Sequence, residues 1–303
     1  MSSPDPTTDH NTIDRKGKTM QHHFETTGPI TLKVEIPAGD VTLRATEALT
    51  TSVRLVPRGR GGADLAERFT VEAHGNEVVV IAPKREGFLG FGSKGSVDVE
   101  IDLPVGSAVD ARTGSGHVRA TGLLDDVRAS TGSGKLSFHE LGDAELRSGS
   151  GDVTVRAVRG GLSAKTGSGD LVFGSLGGRS DLVSGSGDIE IRRAEAPVKA
   201  KTGSGDVRIE ASAADIEVMT GSGDVRLAGV HGGEVRARTG TGDVTIGVAA
   251  GVAAYLDLDS VAGDVDVDLE ETSGPGDAEA TTSLFVHAGI GDIHVKRAEV
   301  SLA

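Results

Sequence analysis

Six aspartates, Asp152, Asp170, Asp188, Asp206, Asp224 and Asp243, each follow directly on a Gly-x-Gly step, at intervals of 18, 18, 18, 18 and 19 residues. Carboxylates repeated in a Gly-rich turn are the donor set of a calcium β-roll, in which a column of Ca2+ ions runs along stacked turns. Two features tell against that chemistry here. A β-roll carries its motif in both half-coils, with a residue between Gly and Asp. This chain has the motif in one half-coil, and Asp follows Gly directly. His117 and Lys135 also take the same position in two further copies. The competing expectation is that each carboxylate accepts backbone N–H bonds inside its own Gly-x-Gly turn. In register, adjacent carboxylates about 5 Å apart repel by roughly 0.8 kcal/mol in water, so a relieving contact is required. No metal ligand is assigned.

Other candidates are weaker. Gly90-Phe91-Gly92-Ser93-Lys94-Gly95 fits a dinucleotide fingerprint in its letters. That mechanism needs a helix N-terminus after the glycines to hold a pyrophosphate, whereas the residues that follow alternate as a strand. The match is expected by chance in a chain with 45 glycines. Arg112, Arg147, Lys165, Lys201 and Arg238 share an outward column, expected to screen the aspartates and solvate one face. Thr113, Thr131, Thr166, Thr202, Thr220 and Thr239 are expected to form a corner ladder of hydroxyls rather than a sugar- or ice-binding rank. The nine histidines, including His22, His23, His287 and His294, show no metal spacing and read as surface residues. A carbohydrate-active β-helix enzyme would need an acid/base pair and aromatic sugar platforms. Aromatics are only 3% of this chain, and nothing departs from the repeat to plant a singular catalytic cluster. No catalytic or cofactor-binding residue is assigned, and no cofactor is expected.

Whatever these residues do, a repeat positions them. Copies of Thr-Gly-Ser-Gly-Asp-Val begin at Thr113, Thr131, Ser148, Thr166, Ser184, Thr202, Thr220 and Thr239, with looser copies at Ser260 and Ala288. Counting from the residue after Gly-x-Gly, position +1 is Val118, Leu136, Val153, Leu171, Ile189, Val207, Val225, Val244, Val265 and Ile293. Position +3 is equally apolar, and +2 is usually polar. That period-two alternation marks a half-buried strand. A corner apolar residue recurs at +6 (Leu123, Leu141, Val158, Leu176, Val230), and a second alternating stretch precedes each next motif. Two short strands and two turns per unit, with no room for a crossover helix, predict an all-β fold. It is a parallel β-solenoid (β-helix) of about 18-residue coils, each stacked on the last. Glycines let the chain reverse close to the neighbouring coil.

Residues 20–105 alternate without the tight repeat and are expected to form an N-terminal β cap that hides the edge of the first coil. Residues 1–19 are polar and read as a disordered tail; Met20 is a second candidate start that leaves the same folded body. The solenoid spans 106–303, with a mobile acidic insertion near 270–281. The net charge of −14 disfavours nucleic acid, which needs clustered Lys and Arg. The absence of cysteine excludes disulfides and thiolate chemistry. There is no signal peptide and no apolar run that would span a bilayer, so a cytoplasmic location is expected.

The reiterated Thr-Gly-Ser-Gly-Asp-Val from Thr113 to Val244 resembles the bacterial putative-adhesin family of β-strand-repeat proteins, a domain of unknown function. The tail from Gly251-Val252-Ala253-Ala254-Tyr255-Leu256-Asp257-Leu258-Asp259 to Gly291-Asp292-Ile293 is similar to its actinobacterial branch. The resemblance implies no catalytic residues. The expected function is a non-catalytic scaffold that presents its repeat face to a protein or polysaccharide partner. A calcium-stabilised β-roll is the first alternative and a carbohydrate-active β-helix enzyme the second.

Overall fold

The computed structural model describes residues 12–14, 19–83, 95–270, 274, 278 and 280–298. Among the described residues the protein is almost wholly β, with one short helix, Gly62–Ala66. It divides into two compact units, residues 1–151 and 152–303.

In the first unit, parallel coils are built from alternating strands whose apolar residues point between two sheets. Ala108–Thr113 and Val118–Leu124 form one coil, and Val127–Thr131 and Leu136–Leu141 the next. Their registers pair Val127 with Val109 and Val118 with Leu136. The chain order is crossed at the start. Thr31–Ile36 and Val41–Thr46 lie between the coil of Glu77–Ile81 and Ser96–Pro104 on one side and the Ala108 coil on the other. Antiparallel strands cover the outer edges, Thr70–His74 on Glu77–Ile81 and Thr50–Arg58 on Ser96–Pro104. Thr19–Glu25 pairs antiparallel with Thr50–Arg58, and Thr12–Asp14 with Thr19–Glu25. Within the span 20–105 expected as a cap, only these strands are antiparallel edge covers, while Thr31–Ile36, Val41–Thr46, Glu77–Ile81 and Ser96–Pro104 are themselves parallel coil strands. On the outward side of this edge, Arg44 bonds Asp102 at 2.6 Å between two coil strands, and from Thr50–Arg58 Arg54 bonds Glu100 at 2.9 Å and Arg58 bonds Asp98 at 2.7 Å.

One corner differs from expectation. Leu124, not Leu123, is fully buried in its coil. That coil holds one residue more than the next, and a bulge at Thr121-Gly122 absorbs it, with Gly122 at φ +82°. His22 also differs: it is 8% exposed and stacks on Phe24 at 6.4 Å, so it is not a surface residue.

In the second unit one sheet runs Val153–Val158, Leu171–Leu176, Ile189–Ala194, Val207–Ser212, Val225–Val230, Val244–Val248, Ile293–Arg297 and Val265–Asp268. The other runs Leu162–Thr166, Ser180–Ser184, Val198–Thr202, Ile216–Ser222, Gly233–Thr241, Ala280–Ile290 and Val252–Ala262. All these pairings are parallel, for example Leu171 with Ile189 and Ile189 with Val207, and the register shifts once, between Leu227 and Val230 where Val225–Val230 meets Val244–Val248. Leu171, Phe173, Ile189, Ile191, Val207 and Ile209 are at most 2% exposed. Burial of each such side chain contributes about 1.5–3 kcal/mol, and this thin core holds the coils together.

The expectation that each coil stacks on its predecessor fails at the end of this unit. The coil of residues 280–297 sits against 233–248, and the earlier coil, 252–268, is outermost. The crossing buries Leu284, Val286, Ile293 and Val295 to 3% exposure or less. It leaves at the rim the coil whose alternate residues are Asp257, Asp259, Asp266 and Asp268, where water solvates the carboxylates.

Candidate functional site: the corner ladders and outward faces

At Gly-rich corners of the second unit a Thr or Ser hydroxyl joins two coils, except at 288–291, where Ala288 takes its place. The Thr202 hydroxyl donates to Gly187 O at 3.0 Å and accepts from Gly205 N–H at 3.1 Å. Ser184 does the same between Gly169 O and Gly187 N–H. These side chains are buried, Thr202 to 6% and Ser184 to 3%, so they are structural and present no hydroxyl rank to solvent. Thr202→Val removes the hydroxyl while keeping the shape and orphans both backbone groups. The expected loss of stability is about 1–3 kcal/mol, read by denaturant unfolding.

The aspartates form a second ladder, with a different donor from the one expected. Each carboxylate Oδ1 accepts the backbone N–H of the aspartate one coil on, rather than an N–H in its own turn. The Asp188 N–H donates to Asp170 at 3.0 Å, Asp206 to Asp188 at 2.8 Å, Asp224 to Asp206 at 2.8 Å and Asp243 to Asp224 at 2.8 Å. The ladder continues through Asp292 to Asp264, following the crossed order of coils. A charge-assisted bond of this kind offsets the repulsion within the column. In the first unit His117 occupies the same place: its N–H donates to Asp40, and its Nδ1 accepts from Lys135 N–H. Among the described residues no three His, Asp or Glu side chains are grouped to hold a metal ion.

The basic column does not reach these aspartates. Arg112 bonds Asp110 and Arg147 bonds Glu145, each along its own strand. Other charges pair across coils: Lys199 with Glu217 at 2.8 Å and Arg208 with Glu190 at 3.3 Å. The Lys199 hydrogen bond holds the Glu217 carboxyl below the ordinary glutamate value, with Lys201 and Arg236 adding to the effect. A depressed carboxyl contributes stability above about pH 4.5 and loses it as pH falls through the lowered folded value. Glu217 is about two-fifths exposed, so the pair is expected to contribute under about 1 kcal/mol. Glu217→Gln is expected to flatten the acid limb of the unfolding profile by that small amount.

The outward faces carry open depressions rather than enclosed cavities. One of about 250 Å³ is lined by Arg179, Lys199, Asp215, Glu217 and Arg236, and another of about 230 Å³ by Arg156, Val172, Gly174 and Arg192. An aromatic patch that the alternation alone did not single out also faces outward. Tyr255 is 63% exposed and meets the Phe285 ring at 6.2 Å, with the Arg236 guanidinium 5.4 Å over Phe285. The signal lay in the pattern all the same, because Phe285 and Tyr255 fall on the polar beat of their strands. The dinucleotide-like glycines up to Lys94 lie outside the described residues; a strand, not a helix, begins at Ser96.

Among solved structures the chain is similar to a putative adhesin from Bacteroides fragilis, with 14% identity, a TM-score of 0.43 and coverage of 93% of this chain and 98% of that one. A putative lipid binding protein from Parabacteroides distasonis aligns with 11% identity, a TM-score of 0.42 and coverage of 91% and 97%. A putative cell adhesion protein from Clostridium sporogenes aligns with 11% identity, a TM-score of 0.22 and coverage of 93% and 100%. At these scores the likenesses carry no argument about activity. No curated protein matches the sequence. The stacked coils and their Gly-rich corners extend through residues 29–295, which match the Toastrack DUF4097 family, and the chain belongs to that family.

Proposed function

We propose that the chain is a non-catalytic β-solenoid scaffold, adhesin-like in character, which binds a protein or polysaccharide along its outward repeat face. The observation that carries this reading is the second unit's exterior. Arg, Lys and Glu side chains there line two open depressions, and the aromatic patch of Tyr255 and Phe285 adds one larger contact. Such a face gathers affinity by repetition of weak contacts rather than from one deep pocket. Assignment to the actinobacterial branch and a cytoplasmic location belong to the same proposal, and cell fractionation tests the location.

The functional test is retention of the protein on immobilised acidic and neutral polysaccharides, with glycan chain length measured in the same samples. Retention that Tyr255→Ala reduces, without shortening of the glycan, is the expected result. Cleavage abolished by one carboxylate substitution would replace this reading with an enzyme. A rise in melting temperature with Ca2+, reversed by chelator, would replace it with a calcium-stabilised β-roll.

A further inference from the structure

Among the described residues the outermost coil has no antiparallel cover. Val252–Ala262 and Val265–Asp268 there each pair on one side only, with Ala280–Ile290 and Ile293–Arg297. Their inward residues are correspondingly uncovered: Val265 is 45% exposed and Val267 41%, while Ile293 and Val295 one coil in are 0%. The corner ladders stop there too. In inner coils Gly187, Gly205, Gly223 and Gly291 each receive a hydroxyl on their carbonyl from the coil beyond, Gly242 facing Ala288 instead, and the motif aspartates each receive an N–H. Among the described residues nothing donates to Gly263 O or to the Asp264 carboxylate.

Charge says what fits. Residues 252–270 carry Asp257, Asp259, Asp264, Asp266, Asp268 and Glu270, and no Lys, Arg or His. On the inner side these carboxylates already meet imidazole partners, His287 within 2.9 Å of Asp259 and His294 within 3.0 Å of Asp266. Lys296 is in register with Asp268. The outer side offers the same carboxylates to the next strand. A second copy of this end would bring six more acidic groups against six, at strand spacing, and is disfavoured. The chain's own adjoining residues 271–279 and 299–303 contain no Lys or Arg.

We propose that this open end is a docking edge for an extended basic strand of a partner protein, which adds in parallel to Val252–Ala262 as one further half-coil. Outward Lys or Arg would face Asp257 and Asp259, small apolar residues would cover Leu256 and Leu258, and a Ser or Thr would reach Gly263 O. The fold contains the pattern it would accept. Val198-Lys199-Ala200-Lys201-Thr202 pairs in this way with Ile216–Thr220, where Lys199 bonds Glu217. Carried through the registers, Lys199 and Glu217 share a column with Asp257, Lys201 with Asp259, and Thr202 with Ser260. Main-chain pairing gives affinity in such β-augmentation, and alternate side chains give selectivity.

The test uses the full chain and a fluorescent peptide copying Val198–Gly205, followed by polarisation. Saturable binding is expected, weaker as salt rises and lost when the peptide's Ala200 equivalent is proline, which cannot pair as a strand. Asp257→Asn with Asp259→Asn is expected to weaken binding about tenfold while the circular dichroism spectrum stays unchanged. Amides of Val252–Ala262 are expected to gain exchange protection on binding. Equal binding of the proline peptide would reduce the interaction to charge adhesion and overturn the proposal, as would no binding. Concentration-dependent dimerisation that excludes the peptide would make a second copy the occupant and equally overturn it. None of these outcomes bears on binding along the outward faces.

Discussion

Gly187→Ala should lower stability by about 3 kcal/mol or more, and the melting temperature by roughly 6 °C or more. A Cβ on Gly187 would lie 1.9 Å from Gly169 O and 2.4 Å from its carbonyl carbon, and both contacts are backbone of the adjacent coil. No side-chain rotation relieves such a clash. The two coils would have to separate, stretching the Ser184 hydroxyl bond to Gly169 O and the Asp188 N–H bond to Asp170 that join them at this corner. The same close approach recurs at Gly205, 2.2 Å from Gly187 O. Gly28 is the control: a Cβ there meets nothing within 4 Å, and Gly28→Ala is expected to stay within about 0.5 kcal/mol of the parent. Denaturant unfolding of the two variants beside the parent checks the contrast. A mild Gly187→Ala would mean that the corners are not stacked at strand spacing.

Phe173→Ala is expected to cost about 3–5 kcal/mol. Phe173 is 2% exposed, and its register neighbours Val155 and Ile191 are 1% exposed. The inward residues Ala164 and Ala200 of the opposing sheet are small and fully buried, so the ring is a large share of the local filling. Smaller branched neighbours held in a hydrogen-bonded ladder cannot collapse into the space, which places the cost toward the upper end. Phe173→Leu keeps most of the volume and should cost about 1.5 kcal/mol or less. Equilibrium unfolding monitored by far-UV circular dichroism measures both.

The architecture was readable because the repeat constrains it twice. Alternation at +1 and +3 assigns Leu171, Phe173, Ile189 and Ile191 to the interior, and the constant spacing aligns them in register. The crossing of the last two coils was not readable. Val265 and Val267 show the same apolar beat as Ile293 and Val295, so periodicity tells which residues point inward but not which coil lies next to which. The difference lies in charge, since the coil with Asp at alternate positions goes to the rim. The donor to each motif aspartate was hidden for a related reason. It comes from a residue 18 or 19 positions away through Asp224, and 49 away for Asp243, while the familiar habit of Asp in a turn is to bond locally. His22 was misread because its strand, Thr19–Glu25, gains its cover only from the pairing with Thr50–Arg58, which no repeat announces.

The placement of the coil of residues 280–297 creates both the aspartate ladder's last steps and the open acidic end, so its position is the decisive quantity. The chain has no cysteine, so engineered pairs report position cleanly. Disulfide formation requires Cα atoms about 4.4–6.8 Å apart, which adjacent strands at about 4.8 Å satisfy and next-nearest strands at about 9.6 Å do not. Arg238 is in register with His287, and His287 with Asp259. Arg238→Cys with His287→Cys should therefore cross-link readily under mild oxidation, while Arg238→Cys with Asp259→Cys should not. The reverse pattern would put residues 252–268 beside 233–248 and contradict the account.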